Sequence, residues 1–188
     1  MMTLELNQVL IEDEAQTFSM LADAGQMTCL TGGTTERRTR WLLAMMGFVP
    51  ALQGYINIDG EPLTEQTVDD FRQLIAYAPR ELKAEGEVKT YEPPSVQDIF
   101  LLHANREVPI SNGILGEEMR RIATVPDNNS VRLLAVAILL NKPILLVDSP
   151  IAAAAGHLQQ QARNGKIVVV ASDRPEIVAA SNNIVELT

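Results

Sequence analysis

The chain has 188 residues, 46% apolar and 21% charged, long enough for one domain with a real core and ordinary in composition for a globular protein. Its formal net charge of −9 excludes broad nucleic-acid binding, which needs clustered Lys and Arg to neutralise phosphates. One cysteine, Cys29, excludes an internal disulfide, and no apolar run approaches the roughly 18 residues that cross a bilayer.

A reducing compartment is expected, and Cys29, set in the run Met27-Thr28-Cys29-Leu30, reads as a small core residue. The start lacks the basic and apolar blocks of a signal peptide. A cytoplasmic protein is expected, reaching the inner face of a membrane only through a partner. Glu5, Glu12, Asp13, Glu14 and Asp23 all precede the first basic residue, and read as a solvated acidic face.

In chain order, residues 2–9 alternate in part and predict an edge strand. Residues 27–31 form a short apolar run ended by Gly32-Gly33, a buried strand entering a turn. Residues 38–46 predict a helix with Trp41, Leu42, Met45 and Met46 on one apolar stripe, stopped by Gly47. Residues 55–58 alternate and end at Asp59-Gly60, a hairpin turn signal. Residues 74–77 predict a short strand closed by Pro79. Residues 84–94 read as a loop, and 96–104 and 117–123 as helices. Residues 131–140 predict an apolar helix capped by Asn128, Asn129 or Ser130 and stopped at Lys142-Pro143. The runs at 144–147 and 167–171 fit strands covered on both faces, with a helix over 151–163 between them. The order predicts an α/β fold with a mostly parallel central sheet.

A phosphate-binding loop has the form G-x-x-x-x-G-K-S/T between a strand and a helix, with backbone N–H groups cradling phosphate and the hydroxyl holding Mg²⁺. Here those places read Gly32-Gly33-Thr34-Thr35-Glu36-Arg37-Arg38-Thr39. The first glycine and the threonine remain; the second glycine is Arg37 and the lysine is Arg38. Arginine is no neutral exchange for lysine, since its planar fork needs different space. Arg37, Arg38 and Arg40 gather positive charge where a helix dipole disfavours it. Either a bound anion relieves this, or the arginines point to solvent or pair with Glu36.

The surroundings resemble the ATP-binding-cassette (ABC) transporter ATPase family. The helix ending at Gly47, followed by Gly54-Tyr55-Ile56-Asn57-Ile58-Asp59-Gly60, is similar to that family's helix and G-x-I-x-I-D-G hairpin. Ile75-Ala76-Tyr77-Ala78-Pro79-Arg80 resembles the strand before its Q-loop, with Arg80 in the glutamine's place. Ile144-Leu145-Leu146-Val147-Asp148-Ser149-Pro150 resembles its Walker B strand, and Lys166 to Asp173 the strand bearing its switch histidine.

The resemblance implies a P-loop NTPase-like fold with an N-terminal antiparallel β part and a short helical insertion. One domain is expected over 1–188, with its core at 1–80 and 129–188 and a reduced helical subdomain at about 81–128. It implies ATP held by the loop residues 32–39, and Mg²⁺ held by Thr39 and Asp148. Otherwise the Thr39 hydroxyl is satisfied within its helix and Asp148 caps the turn before Pro150. It also implies a membrane permease at the surface near residues 80–98, or a partner ABC ATPase, which a homodimer would supply. A member with lost chemistry can still complete one composite site for such a partner.

The departures from the family concern catalysis. Ser149 stands at the glutamate that polarises water, Ser172 at the switch histidine, and residues 124–128 read Thr-Val-Pro-Asp-Asn where the signature L-S-G-G-Q belongs. The loop at 11–14 offers carboxylates where the family stacks an aromatic ring on adenine. Losing one acid–base group costs about 10²- to 10⁴-fold in rate. Losing one charge-stabilising donor costs roughly 10²- to 10³-fold. The resemblance therefore implies a cassette subunit impaired in hydrolysis, with no catalytic residue assigned, that acts by binding nucleotide weakly or by packing against a partner ATPase or permease. The alternatives are a scaffold that binds no nucleotide and an ATPase rearranged around Asp148 and Arg38. His103 and His157 lie far apart without metal-ligand spacing, and Met45-Met46 reads as core.

Overall fold

The computed structural model describes residues 1–80, 110–124 and 129–188. Two sheets organise them. The first is antiparallel, from β1 (Thr3–Ile11), β2 (Phe18–Asp23), β4 (Ala51–Ile58) and β5 (Glu61–Pro62), in the order β2-β1-β4-β5. The second is parallel, from β3 (Met27–Thr31), β6 (Ile75–Ala78), β7 (Ile144–Asp148), β8 (Ile167–Ala171) and β9 (Asn183–Glu186), in the order β6-β7-β8-β3-β9. The predicted α/β class, with a parallel sheet and an N-terminal antiparallel part, is what the chain adopts.

The apolar runs at β7 and β8 are buried along their whole length because both faces of the parallel sheet are covered. On one face Leu30, Ile144, Leu146, Ile167 and Val169 pack with Trp41, Leu42 and Met45 of α1 (Thr35–Met45). The inner residues of the antiparallel sheet, Leu4, Leu6, Ile56 and Ile58 among them, close that core. On the other face Met27, Cys29, Leu145, Val147, Val168 and Val170 meet α3 (Asn112–Ile122), α4 (Asn129–Leu139), α5 (Ala155–Arg163) and α6 (Pro175–Ala180). Successive strand residues thus feed two separate cores, the period-2 rule acting on a two-sided sheet. Cys29 is fully buried, and burial pushes its thiol up from the ordinary range.

Several expectations need correction. The strand expected at an edge, β1, lies inside its sheet, paired with β2 on one side and β4 on the other. Its partner β2 went unpredicted, because exposed Leu21 breaks the alternation that buried Met20 and Ala22 set up. The strand at 74–77 is preceded by an unforeseen helix, α2 (Val68–Leu74), which buries only Phe71. The helix expected at 117–123 begins earlier, where Ser111 accepts from the Ile114 N–H as an N-cap. The helix expected over 151–163 opens with a 3₁₀ turn, Ala152–Ala154, before α5. The expected loop at 84–94, helix at 96–104 and permease-facing surface beyond Arg80 lie outside the described residues, as do His103 and residues 125–128 of the signature position.

Candidate functional site

The C-terminal ends of β3, β7 and β8 converge on the turn that leads into α1, the edge where open α/β sheets place their ligands. Gly32 and Gly33 carry φ of +76° and +61°, which favour glycine. A Cβ on Gly32 would also stand 2.8 Å from the Leu187 carbonyl oxygen. Thr34 caps α1, its hydroxyl accepting from the Arg37 N–H at 3.1 Å. Helix α1 therefore starts within the predicted loop, at Thr35, and not at residue 38.

Thr39 and Asp148, expected together, are together. The Thr39 hydroxyl, 3.0 Å from the Thr35 carbonyl of its own helix, donates to Asp148 Oδ2 at 2.7 Å. The Ser149 hydroxyl donates to Asp148 Oδ1 at 2.9 Å. Tyr77 is held well above its ordinary range by burial and then by the Asp148 carboxylate. Asp148 is buried, so these donors are what its charge has in place of water. Ser149 itself sits at φ +51°, a conformation unusual for a residue with a side chain.

The three arginines at the start of α1 neither point to solvent nor pair with Glu36. Arg37 makes a two-pronged pair with Glu14, Nε at 2.9 Å from Oε1 and Nη2 at 2.6 Å from Oε2, and donates to the Thr188 carbonyl at 2.9 Å. Arg40 pairs with Asp13 at 2.7 Å and donates to the Glu12 carbonyl. Glu36 faces Arg80 instead, at 3.9 Å. The acidic start of the chain is thus no plain solvated face: Asp13 and Glu14 offset the positive charge that the helix dipole disfavours.

Arg38 turns inward. Its Nη1 donates to the carbonyls of Gly32 at 2.8 Å and Gly33 at 3.2 Å and pairs with Asp173 Oδ2 at 2.5 Å. Nη2 reaches the Thr35 hydroxyl at 3.3 Å. Only 6% of the Arg38 side chain is exposed, against 51% of Asp173. Asp173 Oδ1 accepts from the Thr31 hydroxyl at 2.6 Å and from the Gly32 N–H at 2.9 Å. Those bonds, with the Arg38 charge, hold the Asp173 carboxyl below its usual range. Sequence reasoning gave Asp173 no role.

In front of these groups lies a cleft of about 620 Å³, lined by Thr35, Arg38, Arg80, Ser149, Ser172 and Arg174 among others. The groups expected to hold Mg-ATP do not fit it in this arrangement. The inward face of the loop is spent on Arg38, and the Gly32 N–H on Asp173. At the loop 11–14, where the resemblance would stack adenine, Glu14 is tied up in its pair with Arg37, and the cavity beside that pair is about 20 Å³. Thr39 and Asp148 offer Mg²⁺ one hydroxyl and one carboxylate already bonded to each other. Among the described residues no group of three His, Cys, Asp or Glu is placed to hold a metal ion.

No protein-family model matches the sequence, and no curated protein matches it. Solved structures do. An ATP-binding subunit of an ABC transporter superposes over 98% of this chain and 85% of its own, with a TM-score of 0.72 and 17% identity. An ABC transporter ATP-binding protein from Pyrococcus furiosus gives 0.72 and 15% over 98% of this chain and 97% of its own. A bacterial Atm1-family ABC exporter, solved with ATP bound, gives 0.69 and 14% over 99% of this chain and 37% of that one. The chain has the fold of ABC transporter ATP-binding subunits. Among the described residues no helix is long and apolar enough to cross a membrane.

Proposed function

We propose that this chain is a cytoplasmic, ATP-binding-cassette-type subunit of an ABC transporter that holds no nucleotide in its own loop and does not hydrolyse ATP. It acts by packing against a partner ATPase or a membrane permease. The observation that carries this reading is the lodging of Arg38 on the Gly32 and Gly33 carbonyls with Asp173 as its counter-ion. A loop whose polar groups are spent on its own side chains has little left to offer a phosphate tail.

The catalytic positions support the same reading. Ser149, at the place of a general base, carries a hydroxyl that is itself a donor to Asp148, and cannot withdraw a proton from water near neutral pH. Ser172 is buried, and its hydroxyl accepts from the Arg174 N–H at 3.1 Å. The rearranged-ATPase alternative requires Asp148 and Arg38, and each is already committed to internal partners. The nucleotide-free scaffold is favoured by the small space beside the Glu14–Arg37 pair, and differs from our reading only in having no transporter partner.

Three measurements test the proposal. Thermal unfolding of the purified chain should be unchanged by millimolar Mg-ATP, and no phosphate should be released above the buffer rate. Saturation at a hundred times the dissociation constant would add about 2.7 kcal/mol of stability and overturn it. Isolation in fixed stoichiometry with a permease or an active cassette subunit from the native membrane fraction is the expected positive result.

A further inference from the structure

Three donors of different chemistry meet at the mouth of the loop: the Thr31 hydroxyl, the Gly32 amide and the Arg38 guanidinium. A hydroxyl, a loop N–H and a fixed cation are the donor set that binds a tetrahedral oxyanion. Here all three close on one carboxylate of the same chain. Asp173 reaches them because β8 runs parallel to β3 with Ala171 beside Leu30, so the residues just past the two strand ends emerge side by side.

We propose that Asp173 is the resident anion of this loop, an internal carboxylate that an external oxyanion of the phosphate class must displace before it can bind. This rests on the reading that the loop of the native chain holds no nucleotide.

The contact has the features of a displaceable one. Asp173 stands half exposed at the front of the cleft, so solvent and solutes reach it, while Arg38 beneath it is almost wholly buried. A buried guanidinium needs an anion whatever its source, because an unpaired buried charge is strongly destabilising. Its loop carbonyls satisfy donors but supply no negative charge. Arg38 Nε, moreover, is buried with no hydrogen-bond partner among the described residues, so the guanidinium is not fully satisfied by the internal arrangement. The amides of Thr35 and Glu36, in the first turn of α1, have no acceptor within the helix and lie on the same side as the N-cap. Around the cleft Arg80 and Arg174 add positive charge in a chain that is strongly negative overall. Once the carboxylate is gone, the surroundings select an anion.

Binding by a competitor is weakened by the fraction of time the internal ligand is in place. Removing the carboxylate should therefore create affinity where the native chain shows little. The test is isothermal titration of inorganic phosphate, and separately of ADP, into the native protein, Asp173→Ala and Asp173→Asn at matched ionic strength. Phosphate should bind Asp173→Ala at least about tenfold more tightly than the native chain. Asp173→Asn keeps an acceptor for Thr31 and Gly32 but loses the charge, and should gain less. It is also the variant to rely on if the alanine form fails to fold. ADP should bind no more tightly than phosphate, since Glu14 and Arg37 are tied to each other beside the loop; tighter ADP binding would identify the oxyanion as a nucleotide's and still support displacement of Asp173. Folded variants that bind both ligands no better than the native chain overturn the inference. That outcome leaves the non-hydrolysing reading standing, whereas strong Mg-ATP binding by the native chain would sink the reading first.

Discussion

Thr39 and Asp148 are 109 positions apart in the chain and 2.7 Å apart in space. Between their strands in the sheet lies β8, so the bond ties the first turns of α1 to a strand that is not a neighbour of the one preceding it. Asp148 is buried, and its other oxygen accepts from the Ser149 hydroxyl.

The tie should be measurable as stability. Thr39→Val keeps the shape but leaves a buried carboxylate short of a donor, at a cost of about 1–3 kcal/mol in urea unfolding. Thr39→Ser keeps the hydroxyl and should lose well under half of that. If Thr39→Val proves as stable as the native chain while Thr39→Ser does not, the methyl, and not the bond, is what matters.

A second pair predicts pH dependence. Glu118 of α3 is buried and lies 2.6 Å from His157 Nε2 of α5 and 3.2 Å from Arg121 Nη1. The His157 bond is the main cause that holds its carboxyl below the usual range; burial opposes it, and the Arg121 charge and hydrogen bond add to it. A carboxyl depressed on folding adds stability that is fully present above its unfolded value and is lost as pH falls through the folded one. Glu118→Gln should therefore be less stable than the native chain near neutrality, by about 1–3 kcal/mol. The gap should close as the pH falls below the ordinary carboxylate range. A gap independent of pH between 3 and 7, taken as roughly the span around model carboxylate values, would remove the charge from the explanation.

Restoring catalytic side chains should not restore catalysis. Ser149→Glu with Ser172→His supplies a carboxylate and an imidazole, yet leaves Arg38 on the loop carbonyls and Asp173 on the Gly32 amide. The double variant should release phosphate from Mg-ATP no faster than the native chain. A rate rising by even about 10²-fold, the low end of what one such group contributes, would show that the loop opens readily to nucleotide.

What the sequence made legible was whatever local pattern encodes. The runs at β3, β7 and β8 are apolar without interruption because both of their faces are covered, and the glycines at 32 and 33 mark the turn that follows. Thr39 and Asp148 could be paired in advance because the family resemblance supplied the relation. The ion pairs could not. Glu14 lies 23 positions before Arg37, and Asp173 lies 141 after Gly32; a surface Asp or Glu and one that locks a loop look alike in a sequence. Helix α2 was missed for a related reason: it is short, Thr67 makes no capping bond to it, and it buries a single side chain. Strand β1 looked like an edge because its partner β2 was hidden by exposed Leu21.

The pairing of Asp13 and Glu14 with α1 depends in turn on how β1 ends. The register of β1 shifts between Leu6 and Val9 against β2, and between Asn7 and Leu10 against β4, with Gln8 at φ +49°. Opposite that irregularity is Gly54, at φ +72°, where a Cβ would stand 2.3 Å from the carbonyl oxygens of both Asn7 and Gln8. Backbone cannot yield as a side chain tip can, so Gly54→Ala must move the bulge or break it. Gly60, at φ +83° in the β4–β5 turn, has nothing within 4 Å of the same position and serves as a control for conformation alone. Gly60→Ala should cost about 1–2 kcal/mol, the penalty of a left-handed residue. Gly54→Ala should cost clearly more in the same denaturation assay. It should also loosen the Arg37–Glu14 pair, because β1 delivers residues 12–14 to the start of α1. If the two alanine variants prove equally stable, close backbone contact at Gly54 is not what sets the bulge, and the aim of the acidic segment has another origin.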